Sequence, residues 1–281
     1  MKLFEEDLNK DDMSEHINIG DTVVGYTTMC EKDLTCVVDL GHGRKGTCVH
    51  EEIELLFGNK EKAKRIASLG RVGKYTYFKI TGIKEDGTYE LSRKKVQEEY
   101  YNKEVVGTEF KKIFDGRVLR VLEYGIFVDI GFGITGILSR DNFTQAIVEN
   151  TRKSLKDLKK LKVFIRSIDE YRISLGHKEL LGDFEYQSSK IEMGCTYTGI
   201  VRGNTAYGVF VALGSNLVGL ADEYKDAKKG DVVSVIVRKI NPEARKIKLK
   251  IISIVGHKDP NYIDTNFEYL DLKEIPRDWK F

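Results

Sequence analysis

The sequence contains no run of about 18 apolar residues, the length at which a helix becomes a candidate for crossing a membrane. This absence excludes a transmembrane helix. The first residues, from Met1 to Asp7, are acidic and lack the apolar core of a secretory signal peptide. We therefore predict a cytoplasmic protein that has no membrane partner.

Cysteine is scarce, with four residues and no Cys-x-x-Cys spacing among them. Cys30, Cys36 and Cys48 fall in one region with His42 and His50, so a zinc site is conceivable there. Reduced, partly buried thiols in a cytosolic protein are the preferred interpretation. No metal and no other cofactor is predicted.

Net charge is also small, and catalytic motifs are missing. The 46 basic side chains are balanced by 44 acidic ones, so bulk charge does not by itself indicate a nucleic-acid-binding protein. The five histidines are scattered, and neither a phosphate-binding glycine loop nor a His-Glu-x-x-His pattern occurs. We therefore do not expect an enzyme.

What the sequence does contain is a long-range repeat. The segments EYGIFVDI, at 123–130, and AYGVFVAL, at 206–213, are near copies of one another. Their phenylalanines, Phe127 and Phe210, are 83 residues apart. This distance is too long for a solenoid repeat and suits small β-barrel domains in series.

The third repeat unit is the clearest. Five apolar-alternating runs, separated by turns that contain glycine, predict a small closed β-barrel. The runs are Thr196–Arg202, Tyr207–Leu213, Leu217–Ala221, Val232–Ile240 and Lys246–Ile251.

The second unit repeats this plan. Its five runs are Phe114–Leu122, Tyr124–Ile130, Gly133–Ser139, Leu161–Ile168 and Arg172–Leu175. The connection before the fourth run has Leu155, Leu158 and Leu161 at intervals of three, which predicts a short helical turn that caps the barrel. The same connection is strongly basic, which favours a solvated helix or an auxiliary phosphate contact.

The first unit is more divergent. Its recognisable runs are Ile19–Gly25, Val37–Gly41, Gly46–His50 and Tyr89–Ser92. A helix-like insertion, Glu61–Ser68, stands where the second unit has its capping turn. Val96–Lys103 is predicted to be a helical linker, and Gly182–Lys190 a second connection.

These motifs resemble the S1 domain, the OB-fold RNA-binding module of the large ribosomal protein of that name. The resemblance covers about residues 17–254 as three tandem modules. It rests on Tyr-Gly-x-Phe-Val and a closing Ile-x-Leu in the second and third units. In the first unit it rests on Val37–Gly41 followed by Gly46 and Glu52.

The predicted fold is therefore all-β, with three tandem five-stranded OB-fold barrels of the S1 type, short helical linkers and helical caps. The predicted segments are an N-terminal tail at 1–16, barrels at 17–95, 107–180 and 191–254, linkers at 96–106 and 181–190, and a C-terminal tail at 255–281. The tail is either loosely ordered or packed back on the third barrel.

The repeated aromatic residues suggest a platform for nucleobases. A glycine between Tyr124 and Phe127, and between Tyr207 and Phe210, lets the backbone bend so that both rings share one face. Stacking of a base on an exposed ring is worth roughly 1–3 kcal/mol. The alternative is that the rings belong to the barrel core. The resemblance implies that these four positions are part of the ligand surface.

Basic residues beside the rings are needed to neutralise phosphates. The candidates in the second unit are Arg117, Arg120 and Arg172, and those in the third unit are Arg202, Arg245 and Lys246. The resemblance adds Asp169, because the family favours an aspartate in the turn before the closing basic residue. Each alone is equally well explained as a solvated surface charge.

Two departures from the family pattern weaken this interpretation. Where the family commonly has a histidine on the third strand, the second unit has Ser139 and the third has Asp222. The first unit has Leu34 and Val37 in place of the rings, with no glycine between them. We therefore predict that the first unit is a docking or spacer module.

The leading functional hypothesis is a non-catalytic, single-stranded RNA-binding protein that resembles ribosomal S1 and acts in translation or RNA metabolism. The alternative is a protein–protein adaptor that uses its barrels to dock on a ribosome, a polymerase or another assembly. Near-neutral charge, the first unit without rings and Asp222 favour the alternative.

Overall fold

The computed structural model describes residues 1–55, 61–109, 111–145, 151–169 and 172–271, with the backbone alone at 61–64 and 151. Within these residues, fifteen β-strands form three closed five-stranded barrels in series. The few helices are short: two 3₁₀-helical turns, Glu5–Asp7 and Lys10–Asp12, precede the first strand, and the others lie between strands or between barrels. The prediction of an all-β protein with three tandem barrels is confirmed.

The first barrel consists of β1 (Thr22–Cys30), β2 (Cys36–Asp39), β3 (Lys45–Cys48), β4 (Tyr75–Ile83) and β5 (Tyr89–Ser92). Its strand order is β1-β2-β3-β5-β4. The β3–β5 pair is parallel and the other neighbouring pairs are antiparallel. Helix α1 (Glu61–Leu69) lies between β3 and β4, as predicted for the insertion, and its Ala67 packs on the barrel core.

The second barrel consists of β6 (Ile113–Leu122), β7 (Gly125–Asp129), β8 (Thr135–Ser139), β9 (Lys160–Asp169) and β10 (Arg172–Gly176), in the order β10-β8-β7-β6-β9. The predicted capping turn is shorter than expected, because helix α3 (Thr151–Ser154) ends before the three leucines. Leu155 and Leu158 are buried beyond it, whereas Leu161 lies on β9 and follows the two-residue alternation of a strand.

The third barrel consists of β11 (Thr196–Thr205), β12 (Gly208–Gly214), β13 (Leu217–Ala221), β14 (Asp231–Asn241) and β15 (Lys246–His257). Its order is β11-β12-β13-β15-β14, and β13 pairs with β15 in parallel. The core is built from alternate residues of these strands, including Val201, Val211, Val235 and Leu249. Strand β15 runs past the predicted end of the unit, to His257.

The predicted helical linkers are present and have ordinary N-caps. Helix α2 (Arg93–Tyr100) begins directly after Ser92, whose hydroxyl accepts a hydrogen bond from the backbone NH of Lys95, and it continues as a π-helical turn, Tyr101–Val105. Helix α4 (Phe184–Ser188) is capped in the same way by Asp183, which accepts from the NH of Tyr186. None of the helices in the part of the chain described above is long and apolar enough to cross a membrane.

Residue contacts divide the chain into two compact units. Unit 1 contains Met1–Glu109, Asp129–Gly136 and Ser167–Ile173, and unit 2 contains the other described residues. This division does not test the predicted segment boundaries, which remain a prediction.

Unit 1 is held together by a buried ion cluster. The guanidinium of Arg93 is fully buried and donates two hydrogen bonds of 2.9 Å to the carboxylate of Glu5, from Nε and from Nη2. Arg71 donates to the same carboxylate over 3.0 Å. Burial raises the pKa of Glu5, but the charge of Arg93 and its hydrogen bond, together with Arg71, outweigh burial and hold that pKa below its usual value.

The β7–β8 turn also packs within unit 1. Gly131, Phe132 and Gly133 all have positive φ angles, of 129°, 52° and 75°. This turn presents the ring of Phe132 to Tyr77 and Tyr100, with ring centroids 5.2 and 4.9 Å apart. The aromatic contacts explain why a phenylalanine tolerates a left-handed backbone at this point.

In unit 2, Asn216 in the β12–β13 turn is buried and connects two segments. Its amide nitrogen donates to the carbonyl oxygens of Lys178 (3.0 Å) and Gly182 (2.7 Å), which precede α4. Its side-chain oxygen accepts from the backbone NH of Gln145 over 2.8 Å. Every polar atom of this side chain therefore has a partner, as a buried amide requires.

The described part of the C-terminal tail packs in unit 2, which decides between the two predictions made for it. The NH of Leu270 donates to the carbonyl oxygen of Leu180 over 2.8 Å. The rings of Phe267 and Tyr269 lie edge-on to the buried imidazole of His177, at centroid distances of 4.7 and 5.6 Å. The tail thus covers more than the third barrel.

Burial lowers the pKa of His177 to about 4, so this histidine is neutral at pH 7.

Candidate nucleic-acid interface

The two repeated aromatic residues of the third barrel, Tyr207 and Phe210, lie on its surface. Tyr207 occupies the turn between β11 and β12, and 87% of it is exposed. Phe210 is half-buried on β12, between the fully inward-facing Val209 and Val211. Because successive strand residues point to opposite faces, the Phe210 ring is directed away from the core.

The glycine between these rings is required by a close backbone contact. Gly208 has a φ of 132°, and a Cβ atom at this position would lie 2.1 Å from the carbonyl oxygen of Ala221 on β13. In the second barrel, a Cβ on Gly125 would lie 2.6 Å from the carbonyl oxygen of Leu138. In both barrels the glycine between the rings therefore lies where a Cβ atom would clash with the backbone of the third strand.

The strand register connects Phe210 to basic residues. Across the third barrel, Gly203 pairs with Phe210, Phe210 with Leu220, Leu220 with Lys248, and Lys248 with Lys239. We call these five residues the third-barrel row. Side chains of directly paired residues lie about 4.5–5.5 Å apart at Cβ, so an aromatic, an aliphatic and two ammonium groups follow one another on one surface.

Strand β15 contributes a stripe of lysines to this surface. Lys246, Lys248 and Lys250 are exposed, whereas Ile247 and Leu249 between them are buried. Sequence reasoning found Lys246 but missed Lys248, Lys250 and Lys239. The alternation Lys-Ile-Lys-Leu-Lys was a signal from which Lys248 and Lys250 could have been predicted. That Lys248 lies in one row with Phe210 depends on a parallel strand pairing, which no local pattern reveals.

Two further groups affect the charge of this surface. Arg245 is exposed in the β14–β15 turn, where its φ is 50°. The carboxylate of Asp222 lies 3.4 Å from the Lys248 ammonium, and both side chains are largely exposed. Such an exposed pair is weak, so Asp222 reduces the positive potential beside Phe210 without removing it.

Arg202 does not lie with these groups, so the prediction that it contacts phosphate beside Phe210 is wrong. It is only 5% exposed, and its Nη1 donates to the carbonyl oxygen of Tyr262 over 2.6 Å. The cause is a β-bulge, because Val201 pairs with Val211 while Gly203 pairs with Phe210. The extra residue, Arg202, is turned away from the row, and Gly203 takes the place beside the ring.

The second barrel has a similar arrangement. Tyr124 is 59% exposed just before β7, and Phe127 is half-buried between the inward-facing Ile126 and Val128. On β6, Arg120 is exposed, and the half-buried Arg117 pairs in register with Lys160 at the start of β9. The repeat distance of 83 residues aligns Arg120 with Gly203, which pairs with Phe210 in the third barrel.

Asp169 and Arg172 are counted with unit 1. Both are exposed, at the end of β9 and the start of β10, and Arg172 Nε lies 3.6 Å from a carboxylate oxygen of Asp169. An exposed pair of this kind contributes little stability and leaves the guanidinium accessible to solvent.

The first barrel has the equivalent row with different chemistry. Met29 pairs with Val37, Val37 with Thr47, Thr47 with Glu90, and Glu90 with Gly82. Val37 therefore stands where the third barrel has Phe210, and the exposed Glu90 stands where it has Lys248. We call these residues the first-barrel row. It has no ring, and its one charged side chain would repel a phosphate.

The cysteines of the first barrel lie side by side on neighbouring strands. Cys36 pairs in register with Cys30 on β1 and with Cys48 on β3. Burial raises the pKa of Cys36 and of Cys48 to about 12, so both thiols are protonated at neutral pH and are poor metal ligands or nucleophiles. Across the described ranges, no group of three or more His, Cys, Asp or Glu residues is arranged to hold a metal ion.

Three five-stranded barrels in series, two of which present paired aromatic residues beside basic side chains, define the chain as a tandem OB-type barrel protein. No family model matches the sequence. Curated proteins that it resembles, however, include ribosomal proteins bS1 and a bS1 homologue.

Small ribosomal subunit protein bS1 of Rhizobium meliloti is 30% identical over 185 residues, which cover 59% of this chain and 32% of that protein. The bS1 homolog of Bacillus subtilis is 27% identical over 157 residues, which cover 51% of this chain and 41% of that protein. A solved multidomain protein with nucleic acid binding domains, from Streptococcus pneumoniae, is 16% identical, with a TM-score of 0.25 over 83% of this chain and 73% of that one.

The three barrels are consistent with tandem S1-type OB modules, and these sequence relatives are ribosomal proteins bS1. The chain spans about a third of the length of the curated relatives it matches.

Proposed function

We propose that this chain is a non-catalytic, cytoplasmic protein that binds single-stranded RNA in the manner of ribosomal S1 and acts in translation or RNA metabolism. The observation that carries the proposal is the third-barrel row. It brings Phe210 into line with Lys248 and Lys239, beside the exposed ring of Tyr207. Its RNA and ribosome partners are proposed on the same grounds and on the resemblance to bS1.

The chemistry of such a surface suits an extended RNA strand. Bases stack on Tyr207 and Phe210, and the lysines of β15 together with Arg245 contact the phosphates that join those bases. Because every base has a π-face, this surface has little preference among RNA sequences. The flexible lysine ammonium groups follow the backbone without fixing a single geometry.

The second barrel is proposed to hold a neighbouring stretch of the same strand. Tyr124 and Phe127 supply its rings, and Arg117, Arg120 and Arg172 its positive charge, with Asp169 positioning Arg172. Binding of one barrel makes binding of the other intramolecular, which raises the overall affinity without any new contact.

A non-catalytic role is supported by the curated relatives, which are ribosomal proteins.

The proposal is tested by fluorescence anisotropy of a labelled oligouridine titrated with the full chain and with the variant Phe127→Ala/Phe210→Ala. We expect the double substitution to weaken binding at least tenfold, because two stacking contacts of roughly 1–3 kcal/mol each are removed. Val37→Ala is the matched control, since Val37 occupies the same place in the first-barrel row. Circular dichroism melts establish whether the variants fold. Unchanged affinity in a folded double variant would contradict the stacking model.

A second candidate function is a protein–protein adaptor, and Glu90 is the observation that favours it. An acidic side chain in the first-barrel row is unsuited to RNA and suited to a basic protein surface. A pure adaptor would show no affinity for oligouridine at any salt concentration, and would cosediment with purified small ribosomal subunits or another assembly, such as a polymerase, regardless of Phe127→Ala/Phe210→Ala. RNA binding that weakens steeply as salt rises excludes the pure adaptor.

A further inference from the structure

A strongly basic stretch of unit 2 begins in helix α3 and has no part in the proposed function. Residues 152–162 include six basic side chains and one acidic side chain. The stretch contains no aromatic residue, so a base that reached it would have no ring to stack on. Five of its basic side chains are exposed, and we call them the basic segment: Arg152, Lys153, Lys156, Lys159 and Lys160.

The backbone of the basic segment is fixed to the second barrel. Leu155 and Leu158 are buried, and the NH of Leu158 donates to the carbonyl oxygen of Leu155 over 3.1 Å. The carbonyl oxygen of Lys159 accepts a 2.9 Å hydrogen bond from the NH of Val118 on β6. Because the chain that carries the cations is already ordered, a ligand does not have to order it on binding.

Positive charge predominates at the basic segment. Within the described ranges, Lys156, Lys159 and Lys160 form no ion pair. Two carboxylates that offset part of the charge, Asp157 and Asp259, are exposed, so water screens their effect. The surface therefore remains attractive to a polyanion.

Strand β6 lies between the basic segment and the rings of the second barrel. The strand order runs from β7, which carries Phe127, through β6 to β9, which begins at Lys160. Arg117 of β6 pairs in register with Lys160, and Arg120 stands roughly 10 Å further along the same strand. A nucleic-acid backbone that leaves the rings can therefore pass Arg120 and Arg117 and continue onto the basic segment.

We propose that the basic segment binds the phosphate backbone of an RNA duplex, so that the chain holds an RNA in which a double-stranded stem continues into the single strand on the rings. Cations without rings suit a duplex, because its paired bases are turned inward and its backbone presents phosphates and sugars. A duplex also concentrates negative charge more than a single strand does. Duplex binding is independent of the proposed function, whereas the continuous path from stem to strand rests on it.

The test is fluorescence anisotropy of a short, blunt-ended RNA duplex titrated with the full chain. In the variant Lys156→Gln/Lys159→Gln/Lys160→Gln, we expect the affinity for the duplex to fall about tenfold. The slope of log affinity against log salt should become shallower by about 2.7, since each phosphate contact with a duplex contributes about 0.9. Circular dichroism melts check that this variant is folded.

The matched control is Lys32→Gln/Lys45→Gln/Lys84→Gln, which removes the same charge from exposed lysines of the first barrel and should leave the duplex affinity unchanged. Phe127→Ala/Phe210→Ala should also leave it unchanged, because the bases of a duplex are not available for stacking. The proposal is overturned if the wild-type chain does not bind the duplex, or if the basic-segment variant binds it as tightly as the control does. It is also overturned if only the ring variant loses duplex binding.

An RNA hairpin with an oligouridine tail tests the continuous path. We expect this RNA to bind more tightly than the blunt duplex or the oligouridine alone, because the second contact becomes intramolecular. Equal affinities would overturn the continuous path. Loss of duplex binding together with normal, ring-dependent oligouridine binding overturns the duplex site alone. Oligouridine binding that ignores the ring substitutions contradicts the stacking model and leaves the duplex measurement valid.

Discussion

At the scale of single residues, burial decides which charged groups are available for function and which respond to pH. Arg202 and Arg245 were both predicted to contact phosphate, but Arg202 is buried and Arg245 is exposed in a turn. Asp129 shows the effect of burial on a titratable group. Burial raises the pKa of its carboxyl group to about 6, although the NH of Gly131 donates to that carboxylate over 2.8 Å.

The raised pKa of Asp129 predicts a pH-dependent stability. Between pH 3.8 and about 6 the folded protein keeps a proton that the unfolded chain releases. The carboxyl group therefore contributes stability at low pH that is lost as the pH rises through about 6. We expect Asp129→Asn to gain stability relative to the wild type between pH 4 and pH 7, by up to about 3 kcal/mol at about 1.4 kcal/mol per pKa unit.

Urea denaturation at the two pH values measures this difference. Asp39→Asn is the matched control, since exposed Asp39 accepts from the NH of Gly41 in the corresponding turn of the first barrel. An Asp129→Asn advantage that is no larger at pH 7 than at pH 4 would contradict the account.

At the scale of strands, backbone geometry fixes where the rings stand. Gly208 permits the contact between β12 and β13, and a side chain there would meet the carbonyl oxygen of Ala221 at 2.1 Å. Gly214, at the other end of the same strand, has open space where a Cβ atom would stand, with no atom within 4 Å, and it has no positive φ.

We therefore expect Gly208→Ala to destabilise the protein by at least about 2 kcal/mol, because it adds both a steric clash and backbone strain. Gly214→Ala should have an effect within about 0.5 kcal/mol. Thermal or urea denaturation of both variants provides the measurement. Equal stabilities would show that the glycine between the rings is not needed for the strand contact.

Strand β15 carries the second prediction at this scale. A protein that neutralises phosphates of a single strand loses affinity with salt at a slope of about −0.7 per phosphate. Replacing Lys246, Lys248 and Lys250 by Gln should therefore make the slope of log affinity against log salt shallower by about 2. Lys84→Gln, an exposed lysine of the first barrel, is the control. A slope unchanged by the triple substitution would remove β15 from the phosphate contacts.

At the scale of the whole molecule, the sequence predicted most of the architecture because the barrels are built from local patterns. The alternation of apolar residues in Val232–Ile240 and Lys246–Ile251 predicted the last two strands of the third barrel. The repeat around Phe127 and Phe210 predicted that the second and third units share one arrangement of strands. Contacts between distant segments were not predictable. Glu5 and Arg93 are 88 residues apart, and no local pattern pairs them.

The candidate site, too, could be predicted from the sequence only in part. The rings of Tyr124 and Tyr207 were found because each stands beside a glycine in a repeated motif. Lys239 and Lys248 were missed, because only the closed barrel brings β14 and β15 into register with β12. Arg202 was placed wrongly, because a one-residue bulge in β11 cannot be read from the alternation of the strand.

The first and third barrels carry opposite charges at one corresponding position of their rows. The same row carries Glu90 in the first barrel and Lys248 in the third. This contrast is consistent with the proposal that the third barrel binds RNA and the first does not.

The most direct test is photochemical crosslinking of the full chain to an oligouridine that contains 4-thiouridine, with the crosslinked peptides identified by mass spectrometry. We expect crosslinks in the peptides that contain Tyr124–Phe127 and Tyr207–Phe210, and their loss in Phe127→Ala/Phe210→Ala. Crosslinks confined to the first barrel, around Val37 and Glu90, would contradict the proposed RNA-binding surface.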